Sequence, residues 1–159
     1  MRKALFLFLS LVILGQWAFA QAPKYSNEFL SIGVGARGLA MSKAQVASIN
    51  DVTAAYWNPA GLVGLNSDLQ VAGQHAEYFA GIANYDYIGL ASKIDSSSAL
   101  GFSFIRFGVD DIPNTTDLID QNGRVNYDRI TSFSAADYAF LVSYAKQMGV
   151  KGLSLGGNA

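Results

Sequence analysis

The stretch Ala136-Asp137-Tyr138-Ala139-Phe140-Leu141-Val142-Ser143-Tyr144-Ala145-Lys146-Gln147 decides the fold. Its even positions include Tyr138, Phe140, Val142 and Tyr144. Its odd positions include Asp137, Ala139, Ser143 and Gln147, with Leu141 the exception. Successive side chains of a strand point to opposite faces, so this period of two predicts a β-strand with one greasy and one mixed face. A tyrosine near each end of the apolar set is what an aromatic girdle at two membrane interfaces requires. Ser98 to Val109 repeats the pattern. Leu100, Phe102 and Phe104 lie on one face and Gly101 and Ser103 on the other, with Arg106 where the strand would leave a membrane. Both stretches have about the 9–11 residues of a tilted membrane strand.

Two strands of mixed alternation precede these, at 68–77 and 82–94. Tyr85 and Tyr87 share a face there with Gly89 and Ala91. A fifth strand begins at Lys151 with Leu153 and Leu155. Asp95-Ser96-Ser97 and the region of Met148-Gly149 read as tight turns, whereas 110–133 reads as a long polar loop with Pro113 and Asn122-Gly123. Short turns at one end and long loops at the other are the habit of outer-membrane barrels. The short connection near 78–81 departs from that scheme. Five strands cannot close a transmembrane barrel, for which about eight is the minimum, so the sequence is read as a fragment cut inside its fifth strand.

Composition points the same way. Hydrophobic residues make up 51% of the chain and charged residues 14%, against roughly 25% charged in soluble domains. Arg2 and Lys3, the apolar run Ala4 to Leu14 and Ala18-Phe19-Ala20 form a secretory signal peptide over 1–20, with cleavage before Gln21. Its apolar run is about half the roughly 20 residues of a spanning helix. Cleavage leaves 139 residues (159 − 20) with nine Lys+Arg and twelve Asp+Glu, a formal charge near −3. Such a balance lacks the basic patch that nucleic acid requires. There is no cysteine, which excludes disulfides and thiolate metal sites.

Residues 21–66 are rich in glycine and alanine and do not alternate, which predicts a compact plug ahead of the barrel strands at 67–159. Asn50-Asp51 is expected to cap a short helix running to Trp57. Pro59 ends it, because the residue before a proline is pushed out of helical geometry, and Gly61 and Gly64 continue the break. Gly33-Val34-Gly35-Ala36-Arg37-Gly38 matches G-x-G-x-x-G, with Asp51 near the spacing of a ribose-binding acid. A dinucleotide site needs a strand before it, a helix after it and a parallel βαβ unit. Strands of antiparallel character follow here, so the glycines are read as close packing inside the plug.

Chemistry-bearing clusters are sparse. His75 is the single histidine, with no second histidine or cysteine to join it on a metal and no Gly-x-Ser-x-Gly elbow for a hydrolase. No catalytic residues and no cofactor are expected. Asp110, Asp111, Asp117 and Asp120 share the long loop but do not follow EF-hand spacing, and read as a solvated loop. Asn114-Thr115-Thr116 matches the glycosylation acceptor pattern, which carries no weight if the source is bacterial. The inward set Gly101, Ser103, Asp137 and Ser143 is small or polar, which points away from a greasy tunnel. Arginine is expected to be harmful at Phe140 and tolerated at Ser143 if the lumen has room.

Phe29-Leu30-Ser31-Ile32-Gly33-Val34-Gly35-Ala36-Arg37, then Asn50-Asp51, Ala54-Ala55-Tyr56-Trp57 and Asn58-Pro59-Ala60-Gly61-Leu62, resemble the N-terminus of the PorV/PorQ family. A second stretch agrees: Ile112-Pro113-Asn114-Thr115, then Gly123, then Phe133-Ser134-Ala135-Ala136-Asp137-Tyr138. That family belongs with the FadL-like barrels, whose N-terminal segment also carries an Asn-Pro-Ala element. The resemblance implies an all-β, antiparallel outer-membrane barrel of the type IX secretion system. Such barrels bind the C-terminal signals of secreted cargo and shuttle it to the cell-surface attachment machinery. Cargo proteins, other secretion components and outer-membrane lipid are the implied partners. FadL relatives are instead passive channels for hydrophobic small molecules. Gly33, Gly35, Asn58, Pro59, Ala60 and Gly61 map as plug structure; Tyr138, Phe140, Val142 and Tyr144 are expected to face lipid. Intact-mass analysis of full-length protein from a bacterial envelope should find Gln21 as its first residue. Uncleaved protein recovered from the cytosol would contradict the export reading.

Overall fold

The computed structural model describes residues 28–119, 123–150 and 152–159. The signal peptide expected over 1–20, and Asp120, Asn122 and Lys151, lie outside the described residues. Five strands form one antiparallel sheet in chain order: β1 Leu69–Tyr78, β2 Ala83–Lys93, β3 Ser98–Asn114, β4 Thr131–Gln147 and β5 Ser154–Asn158. Each strand pairs with the next along the chain. The all-β, antiparallel expectation therefore holds for the strands described.

The turn after β2 is tight because Asp95 folds it. Its carboxylate accepts from the Ser97 N–H at 2.7 Å, the Ser97 hydroxyl at 2.8 Å and the Ser98 hydroxyl at 2.7 Å. The Ser98 hydroxyl and the two Ser97 donors hold this carboxyl down at about 2. The β3–β4 hairpin differs from the sequence reading. The loop expected over 110–133 is shorter, because pairing resumes beyond a bulge between Val109 and Ile112 and continues to Asn114 opposite Thr131. Asp111 takes a left-handed φ of 56° at that bulge, one extra residue that the polar run Asp110-Asp111 concealed. Asn114 then opens the loop as an Asx turn, accepting from Thr116 N–H at 3.1 Å and its hydroxyl at 2.7 Å.

The two faces of the sheet differ. Residues 28–65 fold into short helical turns against one face, called inner here. Helix α1 (Ala36–Ala40) starts in the second half of the glycine motif, where no helix was expected, and runs two residues past it; α2 (Ala54–Trp57) ends where expected but starts later than Asp51. Asp51 still organises its start, accepting from Thr53 N–H at 2.8 Å and the Thr53 hydroxyl at 2.6 Å. Asn58 is extended at φ −160°, as a residue before proline must be, and a 3₁₀ turn covers Pro59–Gly64.

Inner side chains grade from small to large along the strands. Near the short turns, Ala91, Ala99 and Ala145 receive Ile49, Val52, Ala55, Leu62 and Leu65. Farther along, Tyr85, Tyr87 and Ile105 pack with Val34, with Trp57 and Tyr56 against them. Gly101 shows why the first set is small: a Cβ there would lie 3.0 Å from the Ala55 Cβ and 3.1 Å from Leu62. Gly73 of β1 faces the other way, and a Cβ there would meet nothing within 4 Å. In the full-length protein Gly101→Leu should therefore lower stability by about 1–3 kcal/mol through overpacking, read from the denaturation midpoint. Gly73→Leu should leave that midpoint unchanged, and equal losses would refute the packing account.

Candidate functional site

The interface between residues 28–65 (called the plug here) and the sheet (called the wall) is built on one carbonyl. In a continuing α2, the Ala55 C=O would accept from the N–H of residue 59. Pro59 has no N–H, so that oxygen is left over on the buried side. Two wall side chains take it: Asn158 Nδ2 donates at 2.9 Å and the Ser143 hydroxyl at 3.3 Å. Beside this latch the backbone of Pro59 and Ala60 lies directly on Gly156 of β5, in space that any Cβ would fill. Gly61 is pressed equally closely against the Ile49 carbonyl. Asn58 ties the turn inside the plug, its Nδ2 donating to Val46 O at 3.0 Å. Each residue of Asn58-Pro59-Ala60-Gly61 thus has a separate packing or bonding role.

Strand β1 holds the other side of the plug through two glutamines. Gln70 Oε1 accepts from Val52 N–H at 3.0 Å, and Gln74 Oε1 from Gly35 N–H at 2.6 Å. Gly35 (φ 81°) and Gly33 (φ 100°) both adopt left-handed backbone, open to glycine at no steric cost. Gly33 and Gly38 also pack on Trp57, whose indole N–H donates to Val34 O at 2.9 Å. The G-x-G-x-x-G stretch therefore serves Trp57 and β1. The antiparallel sheet that follows lacks the parallel unit a nucleotide site needs. Tyr56 donates its hydroxyl to Leu30 O, and burial pushes its phenol pKa up.

A cavity of about 450 Å³ lies between α1 and β1, bounded by Leu39, Ala72, Ala76, Tyr87 and Gln74. The buried Gln74 Nε2 has no hydrogen-bond partner among the described residues.

On the opposite, outer face, Tyr138 (57%), Phe140 (64%), Val142 (54%) and Tyr144 (45%) are all exposed. Leu69, Val71, Ile88, Leu90, Leu100 and Phe102 are exposed there too, forming an apolar surface across four strands. Phe104 stacks with Tyr138 and packs on Phe140, at ring-centroid distances of 6.2 and 5.1 Å. A charged row bounds this surface at the end away from the short turns. His75 Nδ1 lies 2.6 Å from Asp86, and Arg106 bridges Asp86 at 3.5 Å and Asp110 at 3.0 Å. His75 Nε2 faces Glu77 at 3.7 Å, not a hydroxyl. Of the loop acids, Asp110 is engaged by Arg106, and no group of three or more potential metal ligands occurs among the described residues.

The structure keeps Ser143 on the inner face, as the alternation predicts, but the room on which tolerance of an arginine there depended is not present among the described residues. Ser143 is fully buried beneath Ala55, so no lumen space awaits an arginine. Of the expected inward set, Gly101 and Ser143 lie against Ala55 and Ser103 beside the Tyr87 hydroxyl, whereas Asp137 is exposed. Sequence reasoning missed Asn158, Gly156, Gln70 and Gln74. Their one available signal was their position on strand faces turned toward the plug.

Removing either Ser143 or Asn158 should be mild, because the other still donates to the Ala55 carbonyl. Ser143→Ala together with Asn158→Ala orphans that oxygen and should cost about 1–3 kcal/mol, more than the two single losses added. Proteolytic release of the plug from the full-length protein would measure it, and strict additivity would refute the shared-acceptor account. Comparison of the chain with protein-family models, curated proteins and solved structures finds no match.

Proposed function

We propose that this chain forms the plug and first wall strands of an outer-membrane β-barrel of the type IX secretion system, related to the PorV/PorQ family. In this reading the barrel binds C-terminal signals of secreted cargo and passes that cargo to the cell-surface attachment machinery. The observation that carries the membrane part is the pair of unlike faces. The inner face packs against residues 28–65, while the outer face presents leucine, valine, phenylalanine and tyrosine from β1 to β4 with no described residue over them. Monomeric soluble proteins rarely expose contiguous apolar patches beyond a few hundred Å². The sheet also has two open edges, at β1 and β5. In hydrocarbon an unpaired backbone group costs several kcal/mol, and barrel closure removes both edges. The cargo role rests on the sequence resemblance, and the protruding β3–β4 hairpin supplies a surface for it beyond the membrane.

The cavity beside Gln74 favours a second reading, a FadL-like passive channel for hydrophobic molecules. The two readings part in one experiment. Full-length protein in detergent micelles is mixed with a secreted protein carrying its C-terminal signal, or the same protein without it. Signal-dependent co-purification supports the shuttle. Its absence, with uptake of a fluorescent fatty acid into vesicles holding the protein, supports the channel.

The lipid-facing assignment has its own test. Phe140→Arg places a cation within the apolar surface, where the cost to a barrel rises from about 0–1 kcal/mol near the interfaces to about 2–4 kcal/mol at the bilayer midplane. That variant should lose most of its heat-resistant folded fraction in lipid vesicles, whereas Phe140→Leu should keep it. Equal folding of both would mean that this face does not meet lipid.

A further inference from the structure

The apolar outer face is not uniform. Leu90, Ser92, Leu100, Phe102 and Val142 line a recess of about 310 Å³. They occupy two successive outward rows of the register: Ser92, Leu100 and Tyr144, then Leu90, Phe102 and Val142. The recess opens because Ser92 is short beside longer neighbours. Its walls are almost wholly carbon, and its volume lies at the small end of the roughly 300–1,000 Å³ usual for ligand pockets.

The next outward row toward the short turns is Ser98, Lys146 and Leu155. Lys146 is exposed and forms no ion pair with any described residue. Its Cα lies about 7 Å along the strand from that of Tyr144, two residues away. The nearby carboxylate, Asp95, is committed to the turn through Ser97 and Ser98. The opposite rim has different chemistry. There Arg106 is shared between Asp86 and Asp110, and Glu77 adds another carboxylate beside His75. An anion is repelled at that rim and attracted at Lys146.

We propose that the outer face holds one anionic phospholipid, with an acyl chain in the recess between β2, β3 and β4 and its phosphate on the Lys146 ammonium. The inference rests on the membrane-barrel reading. A lysine stem reaches along apolar surface while its ammonium stays at the polar boundary, which suits a headgroup just beyond the recess. A basic side chain near an anionic lipid surface contributes about 1 kcal/mol, so losing it should weaken binding about fivefold.

The test titrates full-length protein in mild detergent with phosphatidylglycerol or phosphatidylcholine and counts bound lipid by native mass spectrometry. Wild type should retain phosphatidylglycerol in preference. Lys146→Gln should weaken its retention about fivefold and leave phosphatidylcholine unchanged. Val142→Trp, which fills the recess, should weaken both. Equal retention of the two lipids by wild type, or an unaltered preference in Lys146→Gln, overturns the proposal. Flotation of the same protein with vesicles reads the membrane assignment separately. A chain that floats but shows no lipid preference refutes the site alone, and one that does not float refutes both.

Discussion

A single carbonyl oxygen organises the described part of this protein. Pro59 removes the N–H that would have continued α2 onto the Ala55 oxygen, and the oxygen is then buried against the sheet, where water cannot serve it. An unsatisfied buried acceptor costs about 1–3 kcal/mol, so something on the wall must donate. Asn158 and Ser143 do so from neighbouring strands at 2.9 and 3.3 Å. Because Ser143 pairs directly with Asn158 in the β4–β5 register, the latch also fixes that register. A slip of one residue in β5 would turn Asn158 to the outer face and leave Ser143 without its neighbour at the carbonyl.

Small wall residues follow from the same constraint. A carbonyl reaches a serine hydroxyl only if the backbone of α2 comes close to the sheet, and close approach excludes large side chains. Gly101, Ala99, Ala145 and Gly156 are the result. Farther from the latch the plug stands off, and Tyr85, Tyr87 and Ile105 fill the gap with Val34, Tyr56 and Trp57. The two glutamines of β1 do at the sheet edge what Asn158 does at β5: they satisfy plug backbone with wall side chains. Backbone in irregular turns must find partners somewhere, and here the wall supplies several.

How much of this was legible in the sequence varied with the physics of each part. The β3 and β4 faces were readable because one side is apolar and unpartnered, so hydrophobicity and exposure alternate together. In β1 exposure alternates strictly from Leu69 to Tyr78, but hydrophobicity does not. Its inner positions hold Gln70, Ala72 and Gln74, and its outer ones Val71, Gly73 and His75. A strand whose inner face bonds to a plug carries polar residues on both sides, and the period of two disappears from the composition. The helix break at Pro59 was readable from stereochemistry alone. The latch was not, because Ser143 and Asn158 lie 88 and 103 residues from Ala55, and no local pattern encodes a contact over that separation. The glycine motif was readable as packing, but its partners Trp57 and Gln74 were not.

The height of the outer surface bears on the membrane reading through simple geometry. From Lys146 to Tyr138 the chain advances eight residues along β4, about 26 Å at 3.3 Å per residue. A strand tilt of 35–45° shortens this to about 20 Å along the bilayer normal, against an apolar band of about 25 Å in outer-membrane barrels. The side chains at the two boundaries close the difference. Tyr138 offers an aromatic ring with a polar tip, suited to an interface, and Lys146 an alkyl stem that extends apolar cover toward its ammonium. On β2 and β3 the boundary residues Asp86 and Arg106 are opposite charges paired across strands. A paired couple brings less charge to the edge of hydrocarbon than either group alone. The rim chemistry is thus compatible with the membrane reading, in which the apolar surface ends at a polar boundary on both sides.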